Sequence, residues 1–213
     1  MCKLEIQPEW QAKFQKQGLD SIDAVLKLKP EAIEECCLPC GVEAFLLEDD
    51  DHLLCLKRQQ KIPRSQMFKD ICKCNFPLTL TSRERKAIAM LKNAGFIVPQ
   101  IVAWGEKRCF GLPQAGVLFL QPPEGQTLPA FLASELDGVA RRQGVEKAET
   151  TLMAMHSMGF TWPDCRIENF LLLPDGEVGL INLGSIKRHK TLSQEERQQQ
   201  FEIFYASLVG ADL

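Results

Sequence analysis

The sequence predicts a two-lobed α+β fold, with a small β-rich N-terminal lobe and a reduced helical C-terminal lobe. Three observations predict it. Four strand-like runs lie before residue 121, Pro122 and Pro123 interrupt the pattern, and a long helical stripe with a loop rich in Asp and Asn follows them. Proline lacks an N–H and cannot carry a sheet ladder onward, so the break belongs at the pair. The expected lobes are residues 1–121, with leading helices, and 122–213, together one domain.

Composition narrows the function classes. A chain of 213 residues that is 45% hydrophobic can bury the core of one domain or of two small lobes. The net charge of -3 argues against a nucleic-acid partner. No run reaches the roughly 18 apolar residues of a membrane span. The start, MCKLEIQPEWQAKF, has no continuous apolar core of the kind a signal peptide needs, so a cytoplasmic location is expected. Nine cysteines without a secretion signal read as free thiols. Cys36, Cys37 and Cys40 with Cys72 and Cys74 have near-ligand spacing for a structural zinc, although the second pair is Cys-x-Cys, and burial as small hydrophobes is the plainer reading.

Each element has a local reason. Trp10, Phe14, Leu19, Ile22, Val25 and Leu26 recur at helical intervals around Gly18, so the first thirty-odd residues read as helices packed on a sheet. Residues 42–48 and 52–59 read as a hairpin around Asp49-Asp50-Asp51, with Lys57 near its end. From Thr81 a helix is expected, with Ala87, Ile88 and Leu91 inward and Gly95 as its stop. QIVAWGE and AGVLFLQ read as strands joined by a turn containing Gly111 and Pro113. PPEGQTLPAFL is a connector into a short helix; then Val145, Ala148, Leu152 and Met155 mark a longer helix ending at Gly159. A hairpin turns at Asp175-Gly176, and Ser193-x-x-Glu196 opens a last helix that ends at Gly210.

The loop carries the chemistry. Asp164 is followed five residues later by Asn169, and thirteen further on by Asn182-Leu183-Gly184. That is the spacing of a protein-kinase catalytic loop and metal-binding loop. Phosphoryl transfer needs a cation on the phosphates, metal across them and a carboxylate on the acceptor hydroxyl. Lys57, at the end of LLCLK, is the candidate for the first, with Glu84 on the next helix as its partner and Gln121, just before the prolines, as a further nucleotide contact. Asp164 is the candidate base and Arg166 the cation toward the γ-phosphate; Asn169 and Asn182 are the metal candidates. Plainer uses stand beside these: Lys57 as an edge guard, Glu84 as the Glu of a capping box begun at Thr81, Asp164 and Asn169 as turn residues. His156 reads as packing the loop. The joint order of all of them favours a bilobal protein-kinase-like fold.

The segments LLCLKRQQ, SRERKAIAMLKNAGFIVPQIVAWGE, GVLFLQPPEGQTLPAFL and MHSMGFTWPDCRIENFLLLPDGEVGLINLGSIKR cover most of Leu53 to Arg188. They resemble the lipopolysaccharide core (Kdo/heptose) kinases of Gram-negative bacteria, including the InaA-type proteins. The resemblance implies ATP with Mg²⁺ and phosphorylation of a sugar hydroxyl, on a small molecule or glycolipid, at the inner face of the membrane. The basic run Lys57, Arg58, Lys61, Arg64, Lys69 and Lys73 then suits an anionic sugar or lipid headgroups, with a solvated face as the equal alternative. Nothing in the sequence sets an oligomeric state.

Three features depart from that pattern. Asn182 stands where the metal-binding Asp is expected, and a neutral amide suits a hard cation poorly. Pro122 and Pro123 have no N–H to offer adenine. Residues 42–51 contain no glycine, so no Gly-rich phosphate loop precedes Lys57. They support a second reading, a catalytically impaired pseudokinase that binds a nucleotide or a partner.

Overall fold

The computed structural model describes residues 4–28, 43–49, 52–63, 72 and 77–209. They fall into two compact units, Met1–Lys86 with Gln100–Pro122, and Ala87–Pro99 with Pro123–Leu213.

The first unit contains β1 (Glu5–Ile6), α1 (Gln11–Lys16), α2 (Ile22–Lys27), β2 (Glu43–Asp49), β3 (His52–Gln59), the start of α3 (Leu80–Asn93), β4 (Gln100–Cys109) and β5 (Leu112–Gln121). The strands form one antiparallel sheet in the order β1-β4-β5-β3-β2. Side chains alternate across a strand, so β3 sends Leu54, Leu56 and Arg58 one way and Lys57 and Gln59 the other. Leu54 and Leu56 join Val102, Val117 and Phe119 under Trp10, Phe14, Ile22 and Val25 of the leading segment. Phe14 meets Phe119 edge-on at 4.8 Å. Arg58, buried on this face, donates to the carbonyls of Val25, Leu26 and Leu28 at the end of α2, where a cation complements the helix dipole.

Two expectations are corrected here. The leading segment is not wholly helical: Glu5 and Ile6 pair with Trp104 and Ala103 of β4, a strand too short to show a period. Pro113 lies in β5 opposite Arg108; the turn is Phe110-Gly111, with positive φ of 48° and 80°, as in the primed hairpin turns.

The second unit contains the rest of α3 and then β6 (Gln126–Thr127), α4 (Leu128–Ser134), α5 (Gly138–Ser157), β7 (Phe160–Thr161), β8 (Phe170–Leu172), β9 (Val178–Leu180), β10 (Lys187–Arg188) and α6 (Gln194–Val209). α5 starts earlier than its apolar stripe suggests, because Asp137 caps it by accepting from the Val139 N–H at 2.9 Å. β8 and β9 form the expected hairpin, with Gly176 at φ 81°. Ser193 and Glu196 close a capping box, each backbone N–H donating to the other's side chain. Gly210 lies outside the described residues. The core of this unit runs through Leu152, Met155, Trp162, Phe170 and Phe204. Its aromatic rings meet at 5.1 Å (Trp162–Phe170) and 5.4 Å (Phe170–Phe204).

Candidate active site

Within the first unit the sheet pleat and one helical turn bring two predicted residues together. β3 is a central strand, and Lys57 faces α3 from it. Glu84 lies one turn into that helix, and Lys57 Nζ donates to Glu84 Oε1 at 2.6 Å. The two side chains are 4% and 8% exposed. Lys57 is therefore no edge guard, and Glu84 no capping residue. α3 begins one residue before its expected start at Thr81 and is capped two residues before it, by Thr79 Oγ1, which accepts from the Ser82 N–H at 3.0 Å. Gln121 closes β5 opposite Gln100.

Within the second unit the loop after β7 gathers the other predicted residues. Asn169 is buried, and its Nδ2 donates to the Asp164 carbonyl at 2.8 Å. Its Oδ1 accepts from Asn182 Nδ2 at 2.7 Å. Asn182 takes a left-handed backbone (φ 58°, ψ 51°), which a short amide side chain tolerates. The Asp164 carboxylate is half exposed, 3.5 Å from Arg166 Nε, whose side chain is also mostly exposed. Such a pair is worth only about 0–1 kcal/mol, so it does not tie the carboxylate down.

α6 holds this loop in place. Gln200 Oε1 accepts from the Trp162 N–H, the Gln200 carbonyl accepts from Cys165 Sγ at 3.0 Å, and Ser207 Oγ accepts from the Ile167 N–H at 3.0 Å. Burial pushes the Cys165 thiol up to about 12, so it is no nucleophile at neutral pH. His156 packs edge-on to Phe201 at 5.3 Å, and burial lowers its pKa despite a hydrogen bond with the Gln200 side chain that raises it. Sequence reasoning missed Gln200 and Ser207, which lie 35 and 40 residues from their partners. It also missed Glu106 on β4, whose only signal was a carboxylate in the same strand phase as Trp104.

The amide pair does not fit a tightly held Mg²⁺. The donors facing each other are neutral, and one N–H is spent on the oxygen a metal would use. Among the described residues no group of three His, Cys, Asp or Glu could hold a metal. Of the cysteine cluster only Cys72 is described, and it is exposed; Cys36, Cys37, Cys40 and Cys74 lie outside the described residues. The basic run is not one surface. Lys57 and Arg58 are buried and partnered, Lys61 is exposed, and Arg64, Lys69 and Lys73 lie outside the described residues. No helix among the described residues is long and apolar enough to cross a membrane.

Comparison with known proteins bears on this geometry. The chain is similar in fold to WaaP, solved in complex with acyl carrier protein, with a TM-score of 0.69 over 96% of this chain and 80% of that one at 18% identity. It is similar to monomeric WbdD with a TM-score of 0.50 at 21% identity, covering 96% of this chain but 40% of that one. At these identities the likeness bears on the fold, which is α+β and protein-kinase-like. No curated protein matches the chain. The lipopolysaccharide kinase (Kdo/WaaP) family matches residues 40–212, and the chain belongs to that family.

Proposed function

We propose that the chain transfers the γ-phosphate of ATP to a sugar hydroxyl of a lipopolysaccharide-core type acceptor at the cytoplasmic face of the membrane. The observation that carries this reading is the buried Lys57–Glu84 pair at 2.6 Å. A buried ion pair is weak support for stability, because well-packed apolar residues of similar volume are often as good or better by about 1–4 kcal/mol. Its retention is explained by a need for an oriented ammonium, which is what nucleotide phosphates require. Asp164, with its carboxylate half exposed, accepts the proton of the attacking hydroxyl, and Arg166 beside it balances charge on the phosphate. Gln121 contributes to the nucleotide side of the site.

The test is thermal stabilisation by millimolar ATP, since bound ligand raises the unfolding midpoint by mass action. The native protein and Asp164→Ala are expected to be stabilised. A double variant, Lys57→Met with Glu84→Leu, should fold yet lose the ATP response. An unresponsive native protein, or an equally responsive double variant, would sink the reading. The second reading, a nucleotide- or partner-binding pseudokinase, is favoured by one contact, the Asn182 amide donating to Asn169 where a metal-bound carboxylate is expected.

A further inference from the structure

We propose that Glu106 is a positioning residue: it latches the start of α3 to the sheet and thereby holds Glu84 against Lys57, so that the ion pair is built in advance of any ligand. The part of this that concerns nucleotide rests on the function proposed above.

A helix start presents N–H groups with no partner inside the helix. Here the sheet supplies several. Gln59 Oε1 on β3 accepts from the Leu80 N–H at 2.8 Å. Glu106 Oε2 on β4 accepts from the Thr79 N–H at 3.1 Å, Thr79 Oγ1 at 2.8 Å and Ser82 Oγ at 2.6 Å. The Arg108 guanidinium pairs with the other oxygen of Glu106, a side chain only 5% exposed. A carboxylate is also the charge that a helix N-terminus favours.

Register turns these contacts into a lock. Gln59 and Lys57 are two apart on one face of β3, and Leu80 and Glu84 are one turn apart on one face of α3. The contacts Gln59–Leu80 and Lys57–Glu84 are therefore successive rungs between the same two elements, and Glu106 fixes the helix end beside them. Close approach is permitted by Gly116 on β5, where a Cβ would come within 2.3 Å of Thr81 Oγ1. Arg85 adds a stacked contact, 3.6 Å above the Trp104 ring. Sliding or swinging α3 would break all of these together.

A double-mutant cycle separates positioning from general stabilisation. ATP affinity is measured for the native protein, Glu106→Ala, Glu84→Gln and the double variant, with amide hydrogen exchange over residues 80–86. Glu106→Ala is expected to weaken ATP about tenfold, the scale of losing hydrogen bonds to a charged group, and to speed exchange at the helix start. Glu106→Gln, which keeps one acceptor oxygen, should recover part of both. In the Glu84→Gln background Glu106→Ala should cost no further affinity. Losses that multiply in the double variant, or unchanged affinity in Glu106→Ala while the native protein binds ATP, would overturn the role. Unchanged exchange over residues 80–86 would overturn the latch itself, and that readout stands even if the native protein binds no ATP. If Glu106→Ala does not fold, Ser82→Ala removes a single donor and gives the same comparison.

Discussion

Asn182 and Asn169 meet through one N–H···O contact of 2.7 Å, and that contact sets what cation chemistry this site can support. Two amides hydrogen-bonded to each other carry no net charge, while a divalent ion draws most of its binding from carboxylates. ATP affinity of the native protein is therefore expected to change little with Mg²⁺. Asn182→Asp should make it Mg²⁺-dependent, tightening it about tenfold or more when the metal is added, as read by calorimetric titration. Equal affinities with and without metal in that variant would contradict this geometry. The exchange at residue 182 was legible in the sequence. The amide-to-amide contact was not, because it depends on the left-handed backbone that turns the side chain toward residue 169.

At the scale of elements, α3 and its latch respond to pH. Burial raises the Glu106 pKa, but hydrogen bonds from Ser82 and Thr79 and the charge of Arg108 outweigh it, and the net shift is downward from 4.5. A carboxylate with a lowered folded value contributes stability that is complete above its ordinary value and is lost as pH falls through the folded one. Stability measured by urea midpoint should therefore drop on acidification below about pH 4.5, and Glu106→Gln should flatten that slope. An unchanged acid slope would mean that Glu106 titrates alike in the folded and unfolded protein, which would contradict the downward shift. The elements legible in the sequence were those with a clear local signal: the core stripe of α5, the inward residues of α3 and the apolar run of β3 after the acidic triplet. β1 was hidden because two residues show no period, and the first turns of α5 because polar residues and glycines fill them.

Across the whole chain, the order of strand Lys, helix Glu, two strands, connector, helix, Asp-x₄-Asn and hairpin was readable, because each piece is set by its own neighbours in sequence. The supports were not. Glu106 and Ser82 are 24 residues apart, and α6 reaches back across 35 to 40 residues to hold the Asp164 loop. Hydrogen bonds over such separations are made by the fold and leave no local pattern. Tolerance to substitution should follow the same division, with the long-range supports as sensitive as the residues they hold. The most direct measurement is transfer of label from γ-labelled ATP to core lipopolysaccharide by the native protein beside Asp164→Asn. Label on a sugar hydroxyl, reduced on the order of a hundredfold or more in the variant, is the predicted result. Nucleotide binding with no transfer under any divalent-cation condition would contradict it, and the chain would then be a binding module built on a kinase fold.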